Sequence, residues 1–600
     1  MNRGETKENP EAKRLNFTKT STVSIKGSCL PRPKTVSVTD LILEISNTER
    51  LKFNDLIGQM TRIKNGENFR EELRKSFFFN IDIAWGVIAS INSFFVIYKN
   101  PMKDKSMAKN DFNQDHLETL DRDLERLTTL ESATAFVARP MVGPGLAFVF
   151  MALTGLMAMA FFDSSHQNIM VIVAAVFGAY MALNIGANDV ANNMGPAVGA
   201  NALTMTGAIL IAAVFESAGA LIAGGDVVST IAKGIIAPSS METSSIFIYA
   251  MLAALLSAAL WINLATWIGA PVSTTHSVVG GVMGAGIAAA GFAAVNWGTM
   301  SKIAASWVIS PVLGGIIAAL FLAFIKTRII YQSDKISAAK TWVPVLVGIM
   351  AGAFASYLAL KGLKKIMKID LPTAISIGAA MGILFWLAMR PIIAKQAAGL
   401  ENRNRSLKKL FNIPLIVSAA LLSFAHGAND VANAVGPLAA IVQASQSGVY
   451  GTAISIPLWV MVIGAAGISF GLFLFGPKLI RVVGSQITKL NPMRAYCVAL
   501  SAAITVIVAS WLGLPVSSTH IAVGAVFGVG FFREWDTTRR MKKAKIQAAA
   551  PADLGKDERR RRKLVRRSHF TSIIAAWLIT VPAAALLSGV IFTVFTAVAD

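Results

Sequence analysis

The sequence predicts an all-α polytopic membrane protein: an inverted-topology repeat of two homologous halves, with broken helices and re-entrant hairpins. Three observations carry this. Of 600 residues, 54% are hydrophobic and only 15% charged, where a soluble chain carries about a quarter, and the mean hydropathy is +0.56. The apolar residues arrive in blocks, at 142–162, 169–183, 246–267, 303–325, 342–360, 371–389, 456–475, 495–511 and 572–598. Each is long enough to cross or nearly cross a bilayer. Finally, two polar motifs recur in the same order at almost one spacing.

The elements follow in chain order. Residues 1–140 mix both signs of charge and read as a polar, partly disordered cytoplasmic region. Within it, 115–131 reads as a polar helix. Residues 77–98 are apolar but interrupted by Asn80, Asp82 and Asn92, and read as a surface helix in preference to a span. The first stretch lacks the apolar core of a signal peptide. Residues 141–168 supply an extra transmembrane helix, 169–325 a first repeat, 326–410 linking helices and a basic loop, and 411–600 a second repeat with a basic cytoplasmic loop at 533–568. In hydrocarbon the backbone must satisfy its own hydrogen bonds, so every block is helical.

The formal net charge is +22. Lys and Arg concentrate at 326–340, 390–409 and 533–567, so they mark cytoplasmic connections rather than a nucleic-acid surface. Lys361, Lys364, Lys365 and Lys368 resist this pattern, lying on the opposite side. Cys29 and Cys497 form no disulfide framework.

Residues 186–196 read GANDVANNMGP and 427–437 read GANDVANAVGP; 269–284 read GAPVSTTHSVVGGVMG and 513–528 read GLPVSSTHIAVGAVFG. The offset is 241 residues for the first motif (429 minus 188) and 244 for the second (520 minus 276). The two halves thus share one ancestral unit. The first copy's helix follows a connection without Lys or Arg, and the second copy's helix follows the basic 390–409 loop. If basic means cytoplasmic, the copies enter from opposite sides, as in many secondary transporters.

The pairs Asn188–Asp189 and Asn429–Asp430 each sit at the end of an apolar helix, with Asn192, Asn193 and Asn433 close by. An intramembrane carboxylate costs about 2.5–3.5 kcal/mol on insertion scales, and marks an ion or substrate path. Gly186, Gly195, Pro196 and Gly199 are expected to interrupt the first helix, and Gly427, Gly436 and Pro437 the second. Freed carbonyls together with carboxylate and amide oxygens then suit a hard cation. Plain capping beside a Gly-Pro turn is the alternative. At Pro271 and Pro515 the apolar run stops and restarts through Ser273, Thr274 and Thr275, or Ser517, Ser518 and Thr519. Helix N-termini held inside the membrane suit a tetrahedral oxyanion, with simple capping again the alternative. His276 and His520 are expected to hydrogen-bond within their hairpins in preference to shuttling protons. Glu216 lies inside an apolar helix and has no acidic counterpart, because no Asp or Glu occurs between Asp430 and Glu534. It is expected to serve proton coupling, or to pair with Lys233 or another polar group. Asp226 is expected at a helix end. No nucleophile elbow accompanies the Ser and His residues, so the chain is expected not to be an enzyme.

These motifs resemble those of the inorganic phosphate transporter (PiT) family, from about Ile169 to the C-terminus. The resemblance implies a secondary active transporter that carries inorganic phosphate by cation symport with alternating access. It puts phosphate contacts on Ser273, Thr274, Thr275, Ser517, Ser518 and Thr519. Coupling-cation contacts fall on Asn188, Asp189, Asn429 and Asp430, sodium if present being held by Asp189 and Asp430, with Asn192, Asn433 and Glu216 nearby. The coupling ion is a proton, or else sodium. No cofactor is implied, although some bacterial members take phosphate as a metal complex. Some members carry an acid on the helix before the second hairpin, and 495–511 has none. Transport of another oxyanion such as sulfate, or phosphate sensing, are the alternatives. The expected setting is the lipid of a bacterial inner membrane; the class admits homo-oligomers.

Overall fold

The computed structural model describes residues 141–160, 166–236, 240–268, 272–362, 369–447, 456–486, 490–548 and 567–599. The segments 77–98 and 115–131, Cys29, Pro271 and the lysines after Lys361 lie outside them. Eleven of the described helices are long and apolar enough to cross a membrane.

Helix α1 (Met141–Ala160) precedes the first motif helix, α2 (His166–Asn188), which continues after one residue as α3 (Val190–Gly199). Then come α4 (Met205–Ala223), short α5 (Gly225–Lys233), α6 (Ser244–Ile268), α7 (Thr274–Ala290) and α8 (Trp297–Ile325). The linking helices are α9 (Lys335–Lys361), α10 (Leu371–Ala397) and α11 (Asn404–Leu410). The second half holds α12 (Asn412–Ser447), α13 (Leu458–Gln486), α14 (Pro492–Trp511), α15 (Ser518–Ala548) and α16 (Arg567–Ala599).

The halves interlock. Helix α2 packs on α13 and α4 on α12; α7 packs on α16 and α8 on α15. Each half therefore closes its motif helices against the other half's scaffold. The contacts repeat with the sequence. A Cβ on Gly186 would lie 1.9 Å from the Ile468 carbonyl, and one on Gly427 2.1 Å from the Glu216 carbonyl. Ser217 and Ser469 occupy corresponding places and hydrogen-bond each other at 2.8 Å. Helix α12 is the central element, its apolar window 89% buried against 11% for α10, which faces outwards. Small residues let α12 be enclosed on all sides: buried Ala, Ser and Gly dominate 418–434.

Three expectations are corrected. The second motif helix is not interrupted: α12 runs unbroken for 36 residues through Gly427, Gly436 and Pro437. In the first half the helical run is interrupted at Asp189 and ends at Gly199, as expected for that glycine, while Gly186, Gly195 and Pro196 lie within helical turns. These glycines permit close helix approach rather than unwinding, because any side chain at 186 or 427 would strike backbone. Helix α4, carrying Glu216, is itself a candidate span. Residues 533–548 are helical, as the end of α15, not loop. Lys361 forms an ion pair with Asp226, in the first turn of α5, so the cation that departed from the charge pattern has a local partner.

Candidate functional site

Each half delivers one Asn-Asp pair and one Ser/Thr hairpin, and the structure brings all four segments together. Ser273 precedes α7 and its hydroxyl accepts from the His276 N–H; Ser517 does the same for His520 before α15. Both serines therefore act as N-caps. In the second hairpin Gly513 takes a φ of 68°, a left-handed conformation that favours glycine, to reverse the chain after α14.

The next residues reach the carboxylates. Thr274 Oγ1 donates to Asp189 Oδ2 at 2.6 Å, and Ser518 Oγ donates to Asp430 Oδ2 at 3.1 Å. Contacts also cross between halves. Thr519 Oγ1 donates to Asp189 Oδ1 at 3.0 Å and accepts from Asn192 Nδ2 at 2.8 Å. Thr275 Oγ1 donates to the Val516 carbonyl at 3.0 Å and accepts from Asn433 Nδ2 at 3.2 Å. Asn188 and Asn429 anchor the hairpin backbones through the Val272 and Leu514 carbonyls, each at 3.2 Å. All six hairpin hydroxyls and both aspartates are buried.

Two participants are not marked by the repeated motifs. His426 occupies the place of Ile185, one turn before the aspartate. Its Nδ1 is hydrogen-bonded to Glu216 Oε2 at 2.7 Å, and its Nε2 lies 2.7 Å from Asp430 Oδ2 without hydrogen-bond geometry, all three side chains being buried. Asn193 donates to Glu216 Oε1 at 2.8 Å. Glu216 is thus paired with His426 and Asn193, and not with Lys233. The signal was present as the single difference between HGAND and IGAND. Ser510, which accepts from Asn429 at 3.0 Å, is the second, and nothing in its own sequence marks it.

Three carboxylates share this buried region with one imidazole and no Lys or Arg contact among the described residues. Such charge is costly unless cations or protons offset it. Donor atoms of Asp189, His426 and Asp430 lie within 4.8 Å of one another. Asp430 Oδ1 and Asn433 Oδ1 are buried and accept no hydrogen bond among the described residues. Pro196 and Pro437 lack an N–H, so the Asn192 and Asn433 carbonyls cannot receive the usual helical bond. The donor set is therefore rich in unused oxygens, which suits a hard cation.

His276 departs from expectation. Its ring nitrogens make no hydrogen bond among the described residues. The ring instead packs 3.8 Å from Trp307 and 4.5 Å from His520, its counterpart in the other half. Trp307 spends its own N–H on the Pro515 carbonyl at 3.2 Å.

A sequence model described as the phosphate transporter family matches residues 185–588, which includes every motif above. The chain belongs to the phosphate transporter family. A Helicobacter pylori relative named "Putative phosphate permease" is 47% identical over 523 residues, covering 78% of this chain and 98% of its own. "Inorganic phosphate transporter 2-1, chloroplastic" of Arabidopsis thaliana is 36% identical, covering 70% of this chain and 71% of its own. A solved structure titled "The sodium-dependent phosphate transporter" superimposes with a TM-score of 0.64 at 35% identity, covering 72% of this chain and 99% of that one. The matched family region begins at Ile185, so α1 and residues 1–140 stand before it.

Proposed function

We propose that this phosphate transporter family member is a secondary active transporter that moves inorganic phosphate by cation symport with alternating access. The carrying observation is the direct contact between the two kinds of site: Thr274 and Thr519 both donate to Asp189, and Ser518 donates to Asp430. The hydroxyls that would meet phosphate are held by the carboxylates that would meet the cation. A cation arriving at Asp189 and Asp430 competes for those carboxylate oxygens and releases the hydroxyls towards an oxyanion. Cation and anion then favour each other electrostatically, which is the requirement for symport.

The coupling ion is sodium or a proton. The unused oxygens around Asp430 and the sodium-dependent relative support sodium. The Glu216–His426–Asp430 chain supports a proton, since each member can hold one. The corresponding contacts of the two halves, Ser217 on Ser469 and His276 on His520, support a two-fold relation, and the charge distribution supports its inverted form. The basic connections then face the cytoplasm of a bacterial inner membrane.

Uptake of radiolabelled phosphate into proteoliposomes, under imposed sodium or pH gradients and with sulfate as competitor, tests the proposal. Accumulation under one gradient assigns the coupling ion. No accumulation under either gradient sinks the symport reading, and sulfate accumulation without phosphate sinks the substrate.

A further inference from the structure

A second cavity, with cationic side chains in its wall beside the apolar Leu322, Ile330 and Met493, lies outside the motif cluster. It is an open pocket of about 410 Å³, within the range of roughly 300–1,000 Å³ usual for small-molecule sites. Its wall comes from both halves and the linker: Lys326 just after α8, Arg405 and Lys408 of α11, Asn491 and Arg494 at the start of α14, and Arg533 of α15. Five cations line it and no acid does.

Loop cations that only set membrane orientation need to lie in connections. These do more. Arg494 and Arg533 are half-buried on helices. Asn491 Oδ1 accepts from both the Arg494 backbone N–H at 3.0 Å and its Nε at 3.1 Å. One side chain thereby caps α14 and fixes the guanidinium, leaving its terminal N–H groups to serve a ligand. Lys326 is oriented by Asp536 at 2.8 Å, outside the wall. Among the described residues neither Arg494 nor Arg533 has an ion-pair partner. An adjacent cavity of about 310 Å³ shares Lys408 and Asn491, adds Lys409, and reaches Gly199–Asn201 at the end of α3.

We propose that this cavity binds a phosphate-bearing anion at a site separate from the motif cluster. Fixed guanidinium groups beside ammonium groups match phosphate oxygens, whether on an anionic phospholipid headgroup or on free inorganic phosphate. On the orientation proposed above the cavity opens on the cytoplasmic side, where both ligands occur. Occupancy ties α8 of the first half to α14 and α15 of the second, and through Lys408 and Asn491 neighbours the end of the first motif helix.

The test is hydrogen exchange of the full-length protein, read at residues 404–411 and 490–497. One arm adds inorganic phosphate to the protein in phosphatidylcholine nanodiscs. The other replaces part of the phosphatidylcholine with phosphatidylglycerol. At about ten times Kd the ligand slows exchange there about tenfold. Slowing in the lipid arm alone assigns a headgroup, and slowing in the phosphate arm alone assigns the free ion. Slowing in neither arm overturns the proposal. So does equal slowing in an Arg494→Gln/Arg533→Gln variant. Should that variant fail to fold, Arg405→Gln/Lys408→Gln, at exposed positions, must weaken the effect, and unchanged protection overturns the proposal. Phosphate uptake by the variants in phosphatidylcholine vesicles is expected within about twofold of wild type. Absent wild-type uptake would sink symport alone; intact uptake without protection sinks this site alone.

Discussion

The two motif helices carry the same GANDVAN segment yet differ in backbone and in partners. The first tightens at Asp189, between α2 and α3, where the Asn192 N–H turns to the Asp189 carbonyl at 3.0 Å while Asp189 keeps right-handed helical dihedrals. The second, α12, passes through Asp430 without interruption. Proline is not the cause, since Pro196 and Pro437 stand seven residues beyond each aspartate. The side chains differ. Asp430 pairs with His426 one turn earlier on its own helix, whereas the corresponding first-half turn is equally helical, the Asp189 N–H donating to the Ile185 carbonyl at 2.9 Å. Asp189 has Ile185 in that place and is held by hydroxyls from both hairpins. The partner helices follow suit, with Glu216 against Gly427 and Ile468 against Gly186. A duplicated motif thus supplies two frames, of which only the second carries an acid–imidazole–acid chain.

The largest expected effect tests what the halves share. Asp189→Asn and Asp430→Asn should each lower coupled phosphate uptake by at least about 100-fold, about 2.7 kcal/mol of lost stabilisation, with normal membrane expression. Near-normal uptake in either variant would remove that carboxylate from the coupling site. The next tests what they do not share. His426→Ile makes the second half resemble the first but leaves the buried Glu216 with the Asn193 amide alone and no imidazole, a loss of about 3–5 kcal/mol. Adding Glu216→Gln should recover most of the melting temperature while flattening the pH dependence of uptake. A double variant as unstable as the single one would break the comparison.

Smaller effects follow from packing. Gly186→Ala and Gly427→Ala should each cost about 1–3 kcal/mol, since the methyl would meet the facing helix backbone. Equal melting-temperature losses would sharpen the two-fold relation; a loss at one site only would break it. The smallest effect belongs to the second hairpin helix, which outruns its counterpart. There Asp536 joins Lys326 at 2.8 Å, Tyr331, and Arg540 at 3.4 Å. Burial pushes the carboxyl upwards, but hydrogen bonds from Lys326 and Tyr331 outweigh it and hold it below its ordinary value. The stabilisation is therefore present above the usual carboxylate range and lost as pH falls through the lower folded value. The melting-temperature gap between wild type and Asp536→Asn should be full at pH 7 and close in acid. Burial first, then Asp536, pushes the Tyr331 phenol up to about 12, so this contact should persist in mild alkali. A gap independent of pH would show that the ion pairs carry none of the difference.

Much of the site was legible because duplication separates motif from background. Asp189, Asp430 and the hairpin residues announce themselves as polar groups in apolar runs, twice over. His426 is not legible from the repeat, because a repeat marks what the copies share and His426 is where they differ. The glycines are ambiguous in sequence because one residue type serves both unwinding and close approach, and only the facing carbonyl distinguishes them. His276 was expected to hydrogen-bond because buried polar groups usually do; it packs on Trp307 and His520 instead.

What the sequence by itself determined is what depends on composition and local spacing. Apolar block length sets the spans, proline and hydroxyl residues set the hairpin starts, and the repeat offset sets the two-half plan. Only the tertiary structure decided which oxygen meets which donor. Asp189 lies 330 positions from Thr519 and Glu216 lies 210 from His426. Such contacts depend on how one half's helices close on the other, which no local pattern encodes. The same closure draws Lys326, Arg405, Lys408, Arg494 and Arg533, scattered in sequence, around one cavity.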